Sequence, residues 1–201
     1  MFTDDLQLNR EVRRYIVSEL PVDAEVFITE NALAERFEMS RSAARKLLLA
    51  LEGEGALCCT AKGYRRISYK NTPANIVYNI REAVEESAVT LAVERAERRD
   101  IAELMLLIED LDSAIADKDF NRYNQLDEEF HQAIIRSAHD PMLEKISCFL
   151  LWTAATPSAG YATEDSETDG QEKHRQLFNA IRDRNAESAR KIIKEHLKGV
   201  F

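Results

Sequence analysis

The chain of 201 residues has little of what a disulfide-stabilised or membrane-spanning protein needs. It contains three cysteines, two of them adjacent, and no Cys-x-x-Cys pair, so neither a disulfide framework nor a zinc site built from thiolates is expected. No apolar run approaches the roughly 20 residues of a membrane-spanning helix, and the acidic residues after Met1 are unlike a targeting segment. These absences predict a cytoplasmic protein without membrane contact.

An overall excess of positive charge is also lacking, because 27 Lys and Arg residues face 36 Asp and Glu residues. Residues 1–72 carry 11 basic and 11 acidic side chains, whereas residues 73–201 carry 16 and 25 and so account for the formal net charge of −9. Within the first part, residues 36–70 contain eight basic and three acidic side chains. Positive charge is therefore concentrated in this stretch, although a domain of zero net charge is also ordinary.

The length and the hydrophobic pattern favour two small domains and a mainly α fold. We predict a winged helix-turn-helix with a small β-hairpin wing over residues 1–70 and a linker over residues 71–75. An all-α six-helix bundle is predicted over residues 76–201. Its helices are predicted at residues 75–98, 100–117, 119–137, 141–153, 170–183 and 186–200. The polar, acidic residues 154–170 are predicted to form either a mobile lid over a pocket or a disordered loop.

The N-terminal domain has the local signals of a helix-turn-helix. Thr29 can cap a short helix over residues 30–37, and Ser40 can cap a second helix from residue 41 to about residue 52. A turn of three residues separates the two helices, so the second is predicted to lie in the major groove of DNA.

A β-hairpin wing is predicted after the second helix. Two β-prone runs, residues 56–60 and 65–69, flank a Lys-Gly turn. A winged helix used for protein contacts is the alternative. The predicted DNA contacts are Arg41, Ser42, Arg45 and Lys46 on the recognition helix, and Lys62, Arg65 and Arg66 at the wing tip.

Three of the four histidines and one aspartate form the most informative pattern in the C-terminal domain. Asp127 and His131 are four residues apart and share one helix face, while His174 and His196 lie on two later helices. One carboxylate oxygen and three imidazole nitrogens suit a divalent first-row metal and leave coordination positions open. Taken singly, the same residues also suit a surface ion pair, a core histidine and a helix C-terminal cation.

Several segments, in the same order, resemble GntR-type transcriptional regulators with a FadR-like (FCD) C-terminal domain. The six effector-domain helices resemble the shorter, VanR-like branch. The segments are Leu33–Phe37 with Met39-Ser40-Arg41, Arg45 and Leu51–Gly55; Arg81 with Glu85; Asp127–His131; Lys173-His174-Arg175; and Lys194–Leu197.

The resemblance implies a homodimer that binds a pseudo-palindromic double-stranded operator. It also implies a divalent metal (zinc, with nickel or manganese as other candidates) on Asp127, His131, His174 and His196, together with a small carboxylate effector that Arg81 binds. We therefore predict a repressor that a sugar acid or a similar metabolite releases from DNA. The recognition helix departs from the usual Thr-Pro-Val at residues 42–44, so the operator sequence does not transfer.

Two other functions remain open from the sequence. A metal-dependent hydrolase would use the same metal to activate water, but it needs a general base. Glu128 points about 100° around the helix from Asp127 and does not supply one. In the other alternative the metal is purely structural and joins the helices of a regulator.

Overall fold

The computed structural model describes residues 8–9, 11–16, 19–21, 26–69, 71–154 and 164–198. The chain divides into two units, of which the first comprises residues 1–73 and 148–156. The second unit comprises residues 74–147 and 157–201. Residues 148–156 thus belong with the N-terminal unit, which the order of elements along the chain does not indicate.

In the first unit, short polar signals fix the bounds of a helix-turn-helix. Helix α1 spans Glu30–Arg36 and helix α2 spans Arg41–Gly53. The hydroxyl oxygens of Thr29 and Ser40 each accept a hydrogen bond from the backbone N–H three residues ahead, at 3.1 and 3.2 Å. Each hydroxyl satisfies an N–H group that a helix start leaves unpaired. The predicted helix-turn-helix is confirmed.

The wing is a hairpin with a tighter turn than the sequence indicated. Strands β1, Leu57–Thr60, and β2, Gly63–Arg66, pair antiparallel across a turn at residues 61–62. The prediction that the second strand starts at residue 65 was therefore wrong. Gly63 has φ +127°, and a Cβ there would lie 2.8 Å from the Ile28 carbonyl oxygen. A glycine at the start of β2 allows this close approach.

Backbone hydrogen bonds join the wing to the chain segment that leads into α1. The Ile28 N–H donates to the Tyr64 carbonyl at 2.7 Å, and the Tyr64 N–H donates to the Ile28 carbonyl at 2.8 Å. Beneath these elements lies an apolar core, whose large fully buried members contribute about 1.5–3 kcal/mol each. These members are Ile16, Leu33, Leu48, Leu51 and Leu57.

The second unit is built from helices, as predicted. Their bounds are α3 Ala74–Arg95, α4 Arg98–Ala116, α5 Phe120–Ser137, α6 Pro141–Ala154, α7 Glu164–Arg182 and α8 Ala186–Lys198. Residues 148–154 at the end of α6 are grouped with the first unit. Large side chains fill the core between α4, α5, α7 and α8, namely Leu104, Leu111, Phe130, Leu177, Ile181, Ile193 and Leu197.

Helix α7 begins earlier than the sequence indicated. The acidic segment before residue 170 was predicted to be loop, but α7 starts at Glu164. Residues 155–163 of the predicted lid lie outside the described residues.

A polar contact holds the first turn of α4 to the turn between α5 and α6. The Asp100 carboxylate accepts a hydrogen bond from the Glu97 backbone N–H at 2.8 Å and lies 2.7 Å from His139 Nε2. Residues 97 and 100 form a capping box, so α4 starts at Arg98 rather than at the predicted residue 100. His139, the histidine outside the predicted metal set, thus has a structural partner.

Among the described residues, no helix is both long and apolar enough to cross a membrane.

Candidate metal centre and nucleic-acid interface

Three helices of the second unit bring the predicted metal ligands to a common point. Helix α5 carries Asp127 and His131, α7 carries His174 and α8 carries His196. His196 Nε2 lies 3.1 Å from His131 Nε2 and 3.2 Å from His174 Nε2. Asp127 Oδ1 lies 3.2 Å from His174 Nε2. One ligand atom from each residue lies within 4.8 Å of the others.

Hydrogen bonds at the Nδ1 atoms of two imidazoles orient the rings so that their Nε2 atoms lie toward this point. His131 Nδ1 lies 2.6 Å from Glu85 Oε2, and His174 Nδ1 lies 3.1 Å from Gln171 Oε1. The amide nitrogen of Gln171 donates to the Ile108 carbonyl and to Asp112, so its oxygen must accept from His174. In a metal-bound form, both histidines would carry a proton on Nδ1 and present an Nε2 lone pair to the ion.

The arrangement fits a divalent metal. Lone pairs 3.1–3.2 Å apart repel one another unless a cation or a proton lies between them, and here they point to one location. Such separations are those of neighbouring ligands that each lie about 2.0–2.3 Å from a shared ion. The donor set of three imidazole nitrogens and one carboxylate oxygen suits zinc, nickel or manganese.

Burial and neighbouring charges set the protonation of the four residues. Burial, reinforced by His131 and His174, lowers the pKa of His196 to about 2. Burial alone would raise the pKa of Asp127, but its hydrogen bond with His174 and the nearby histidines hold that pKa well below the usual range. At neutral pH, His196 is a neutral imidazole and Asp127 is an anion, the forms in which both bind metal.

Glu85 on α3 is a site residue to which the sequence analysis gave no role. Its side chain is only 7% exposed, and its two oxygens contact His131 Nδ1 at 2.6 Å and Arg81 Nε at 2.5 Å. Burial alone would raise the pKa of Glu85, but His131 and Arg81 lower it to about 2. Burial likewise opposes protonation of His131, whereas the Glu85 carboxylate raises the pKa of that histidine above its ordinary value.

The site is most open beside Asp127. The Asp127 side chain is 31% exposed, whereas the three histidine residues are at most 6% exposed. Arg81, the predicted effector-binding residue, is 25% exposed, and its electrostatic neighbours include Asp127. Gly170 forms part of the wall by His196, since a Cβ there would lie 4.0 Å from His196 Cε1. Gly170 has no sequence signal that marks it as part of the site.

The recognition helix presents its predicted DNA contacts to solvent. The side chains of Arg41 and Arg45 are 71% and 66% exposed, and Ser42 and Lys46 are also exposed. Helix α2 buries the opposite face, which contains Ala44 and leucines at positions 48 and 51. The amphipathic pattern therefore leaves the polar face available for a partner.

The three predicted DNA contacts of the wing lie at different positions along the hairpin. Lys62 lies in the hairpin turn and is exposed. Arg65 pairs with Cys58, and Arg66 pairs with Leu57 at the far end of the hairpin. The prediction that Arg65 and Arg66 lie at the tip was therefore wrong, because β2 starts two residues earlier than expected. Arg66 Nη1 donates to the Leu20 carbonyl at 3.3 Å.

A carboxylate lies beneath the recognition-helix arginines, and the sequence analysis did not identify it. Glu30 Oε2 lies 2.9 Å from Arg41 Nε, and Glu30 Oε1 lies 3.7 Å from Arg45 Nε. Glu30, Arg41 and Lys62 all line a concave surface between α1, α2 and the wing.

The second unit can be assigned to a family. Residues 76–199, more than half of the chain, match the FCD domain family. The chain therefore belongs to the FCD-domain transcriptional regulators of the GntR family.

Individual relatives agree with this assignment. The chain is 28% identical over 187 residues to the uncharacterized HTH-type transcriptional regulator YcbG of Bacillus subtilis (strain 168), covering 86% of this chain and 77% of that protein. It is 26% identical over 151 residues to the gluconate operon transcriptional repressor of Bacillus licheniformis, covering 73% and 58%. The solved structure of E. coli McbR/YncC shares the fold with a TM-score of 0.75 at 23% identity, covering 96% and 93%.

The chain is thus a DNA-binding transcriptional regulator and not an enzyme, because its family and its fold are those of GntR regulators. The hydrolase alternative is set aside on this ground.

Proposed function

We propose that this protein is a metal-dependent, carboxylate-responsive transcriptional repressor that binds a pseudo-palindromic operator as a homodimer. One observation carries the proposal: three imidazole Nε2 atoms and a carboxylate converge at a point that is partly open on the side of Asp127. A purely packed helical bundle has no need of four such groups at one position, since buried polar atoms are costly unless satisfied.

Asp127, His131, His174 and His196 would hold the metal. Zinc suits this donor set best, and nickel and manganese are the other candidates. The bound ion would supply a Lewis-acidic positive charge for an anionic ligand. Glu85 and Gln171 would keep two of the imidazoles oriented, as outer hydrogen-bond partners commonly do for metal-binding histidines.

The effector is a small carboxylate, most simply a sugar acid. Its carboxylate would enter beside Asp127, and Arg81 would bind its anionic or polar groups through the guanidinium nitrogens that Glu85 does not engage. The relative that represses a gluconate operon supports this chemical class. We propose repression because the same relative is named a transcriptional repressor.

Arg41, Ser42, Arg45 and Lys46 would contact bases and phosphates in the major groove, and Lys62 would contact the backbone from the wing tip. Arg65 and Arg66 would contact phosphates and not bases, because they lie on β2 away from the hairpin turn. In the homodimer, the two recognition helices would enter successive major grooves about 34 Å apart. A carboxylate that binds the DNA-free arrangement more tightly would weaken operator binding by linkage.

A thermal-shift screen tests the metal and effector. Metal-free protein is melted with zinc, nickel or manganese, each with and without sugar acids, dicarboxylates and aromatic acids, and again after chelation. Stabilisation of several degrees by a carboxylate only when metal is present is the expected result. Stabilisation by carboxylates after complete chelation would contradict the proposed site.

Selection of operator sequences from a random duplex library tests the DNA contacts. The wild-type protein should enrich a pseudo-palindrome, and Arg45→Ala should abolish its binding in a fluorescence anisotropy assay without changing the melting temperature. Undiminished binding by Arg45→Ala would overturn the recognition-helix assignment.

A structural metal is the second candidate function, and burial favours it. The three histidines come from three different helices and are nearly inaccessible, so an ion there would join those helices. Stabilisation by metal with no response to any carboxylate, together with operator affinity that depends on metal, would favour this alternative.

A further inference from the structure

We propose that Glu30 is a positioning residue that sets base specificity by orienting Arg41 and Arg45 toward DNA. The inference rests on the proposed function, because it assumes that these two arginines contact the operator. Its basis is the shared carboxylate: one oxygen of Glu30 lies 2.9 Å from Arg41 Nε and the other lies 3.7 Å from Arg45 Nε.

When the Nε atoms of Arg41 and Arg45 face Glu30, the Nη1 and Nη2 atoms of each arginine remain available to contact a base. A guanidinium whose Nε faces a carboxylate retains Nη1 and Nη2 as its forward edge. Two such nitrogens can pair bidentately with O6 and N7 of guanine in the major groove. Contact of both Nε atoms with Glu30 therefore favours the orientation that reads a base over the many orientations that reach a phosphate.

Exposure places the three side chains in two layers. The Glu30 side chain is 23% exposed, whereas those of Arg41 and Arg45 are 71% and 66% exposed. The carboxylate lies beneath and the guanidinium groups lie above, on the side where DNA would approach. Arg41 and Arg45 are one helical turn apart, so the carboxylate between them also reduces the repulsion of two like charges.

Glu30 itself is held by rigid neighbours. It is the first residue of α1, directly after Thr29, whose hydroxyl caps that helix. The helix is anchored by Leu33, which is fully buried, and the residue before the cap, Ile28, is bonded to Tyr64 of the wing in both directions. The backbone that carries this carboxylate is therefore rigid, as a positioning group requires.

The carboxylate has a second consequence for binding to DNA of arbitrary sequence. Non-specific binding depends on phosphate contacts, and a negative charge near the basic face opposes them. Removal of this charge should weaken binding to the operator and strengthen binding to scrambled DNA. Loss of a merely structural residue would weaken both.

The test compares Glu30→Gln with Glu35→Gln, which removes the same charge from an exposed position of the same helix. Fluorescence anisotropy gives Kd for the operator selected by the wild-type protein and for a scrambled duplex of equal length. The specificity ratio is the Kd for the scrambled duplex divided by the Kd for the operator. For Glu30→Gln we expect this ratio to fall by about tenfold or more, which is within the range of one lost bidentate base contact. Glu35→Gln should keep the wild-type ratio.

A double-variant comparison isolates the action of Glu30 through the arginines. In protein that already carries Arg41→Ala and keeps Arg45, Glu30→Gln should lower the ratio less than it does in the wild-type background. Melting temperatures of all variants should stay near the wild-type value, because exposed ion pairs contribute little to stability.

The outcomes separate the two proposals. If Arg41→Ala and Arg45→Ala lose operator affinity while Glu30→Gln keeps the wild-type ratio, or weakens both duplexes equally, the positioning role is overturned and the proposed function stands. If both arginine variants bind the operator like the wild type, the proposed DNA contacts are wrong and the inference falls with them.

Discussion

The candidate metal centre and the proposed recognition surface of α2 use polar and charged side chains in opposite ways. At the metal centre, the histidines are at most 6% exposed, and His131 and His174 have their second ring nitrogen bound by another side chain. On the recognition surface, Arg41 and Arg45 are mostly exposed and share a single carboxylate. Water replaces lost partners on the surface but not in the interior.

Function and stability coincide in the interior and are separate on the surface. Each polar group of the interior must keep its partner, so a change at the metal centre should affect both metal binding and folding. On the recognition surface, a change should affect the orientation of a side chain and leave the fold intact.

The largest effect is expected from loss of a buried metal ligand. We expect His174→Ala to lower zinc affinity by more than about 100-fold, because even outer partners of metal ligands are worth 10–100-fold. Isothermal titration calorimetry of the metal-free protein with zinc measures this affinity. His139→Ala is the matched control, since this histidine contacts Asp100 instead of the site. Equal zinc affinity in the two variants would contradict the assignment of the metal centre.

The next effect concerns a residue that does not itself bind the metal. We expect Glu85→Gln to lower zinc affinity by about 10–100-fold through the loss of His131 orientation. It should also lower the free energy of unfolding of the metal-free protein by up to about 3 kcal/mol, because Arg81 loses its buried partner.

Glu86→Gln is the control for that variant. Glu86 is the next residue on α3, and its carboxylate is 32% exposed and lies 2.8 Å from Lys194 Nζ. We expect its effect on unfolding to be below about 1 kcal/mol. Similar losses for Glu85→Gln and Glu86→Gln in calorimetric and titration measurements would remove the contrast between interior and surface.

A third prediction concerns the rigid support under the recognition surface. We expect Gly63→Ala to destabilise the first unit by about 1–3 kcal/mol, because φ is +127° and the new Cβ would meet the Ile28 carbonyl. Gly53→Ala, with nothing within 4 Å of its Cβ, should be neutral or stabilising. Melting curves followed by circular dichroism compare them. A stable Gly63→Ala protein would mean that the wing does not need this close approach.

The smallest effect is expected at a contact of intermediate burial, between Asp100 and His139. Burial alone would raise the pKa of Asp100, but the Glu97 N–H and His139 lower it below its ordinary value. A lowered pKa contributes stability above the unfolded pKa of about 3.9, and this stability is lost as pH falls through the folded pKa.

Asp100→Asn should therefore reduce the difference in stability between pH 7 and strongly acidic pH. Urea unfolding of chelated protein at a series of pH values measures this difference. An acid limb identical to that of the wild type would show that the contact does not contribute to pH dependence.

The sequence predicted the parts of the molecule that depend on local signals. Thr29 and Ser40 mark their helices because capping involves residues three positions apart. The convergence of Asp127, His131, His174 and His196 was predicted from their positions on three helices together with the family resemblance, and the structure brings the four residues together. The early start of α7 was missed because an acidic run is as typical of a loop as of a helix N-terminus.

The supporting roles of Glu85, Glu30 and Gln171 were not predicted, for a different reason. Glu85 is 46 residues from His131, and Glu30 is 11 residues from Arg41, so each pairing exists only once the helices have packed. Gln171 is three residues from His174, but glutamine has no pattern that marks it as the partner of a histidine. The misplacement of Arg65 and Arg66 came from a shift of two residues in the hairpin turn.

The partial exposure of Asp127 bears on how long an ion stays bound. With three of the proposed ligands enclosed and one partly exposed, exchange of a bound ion with solvent would take place past a single carboxylate. A molecule that occupied this opening would block the exit, so it would lengthen the residence time of the ion as well as its own. The protein would then keep its metal longest when its effector is abundant.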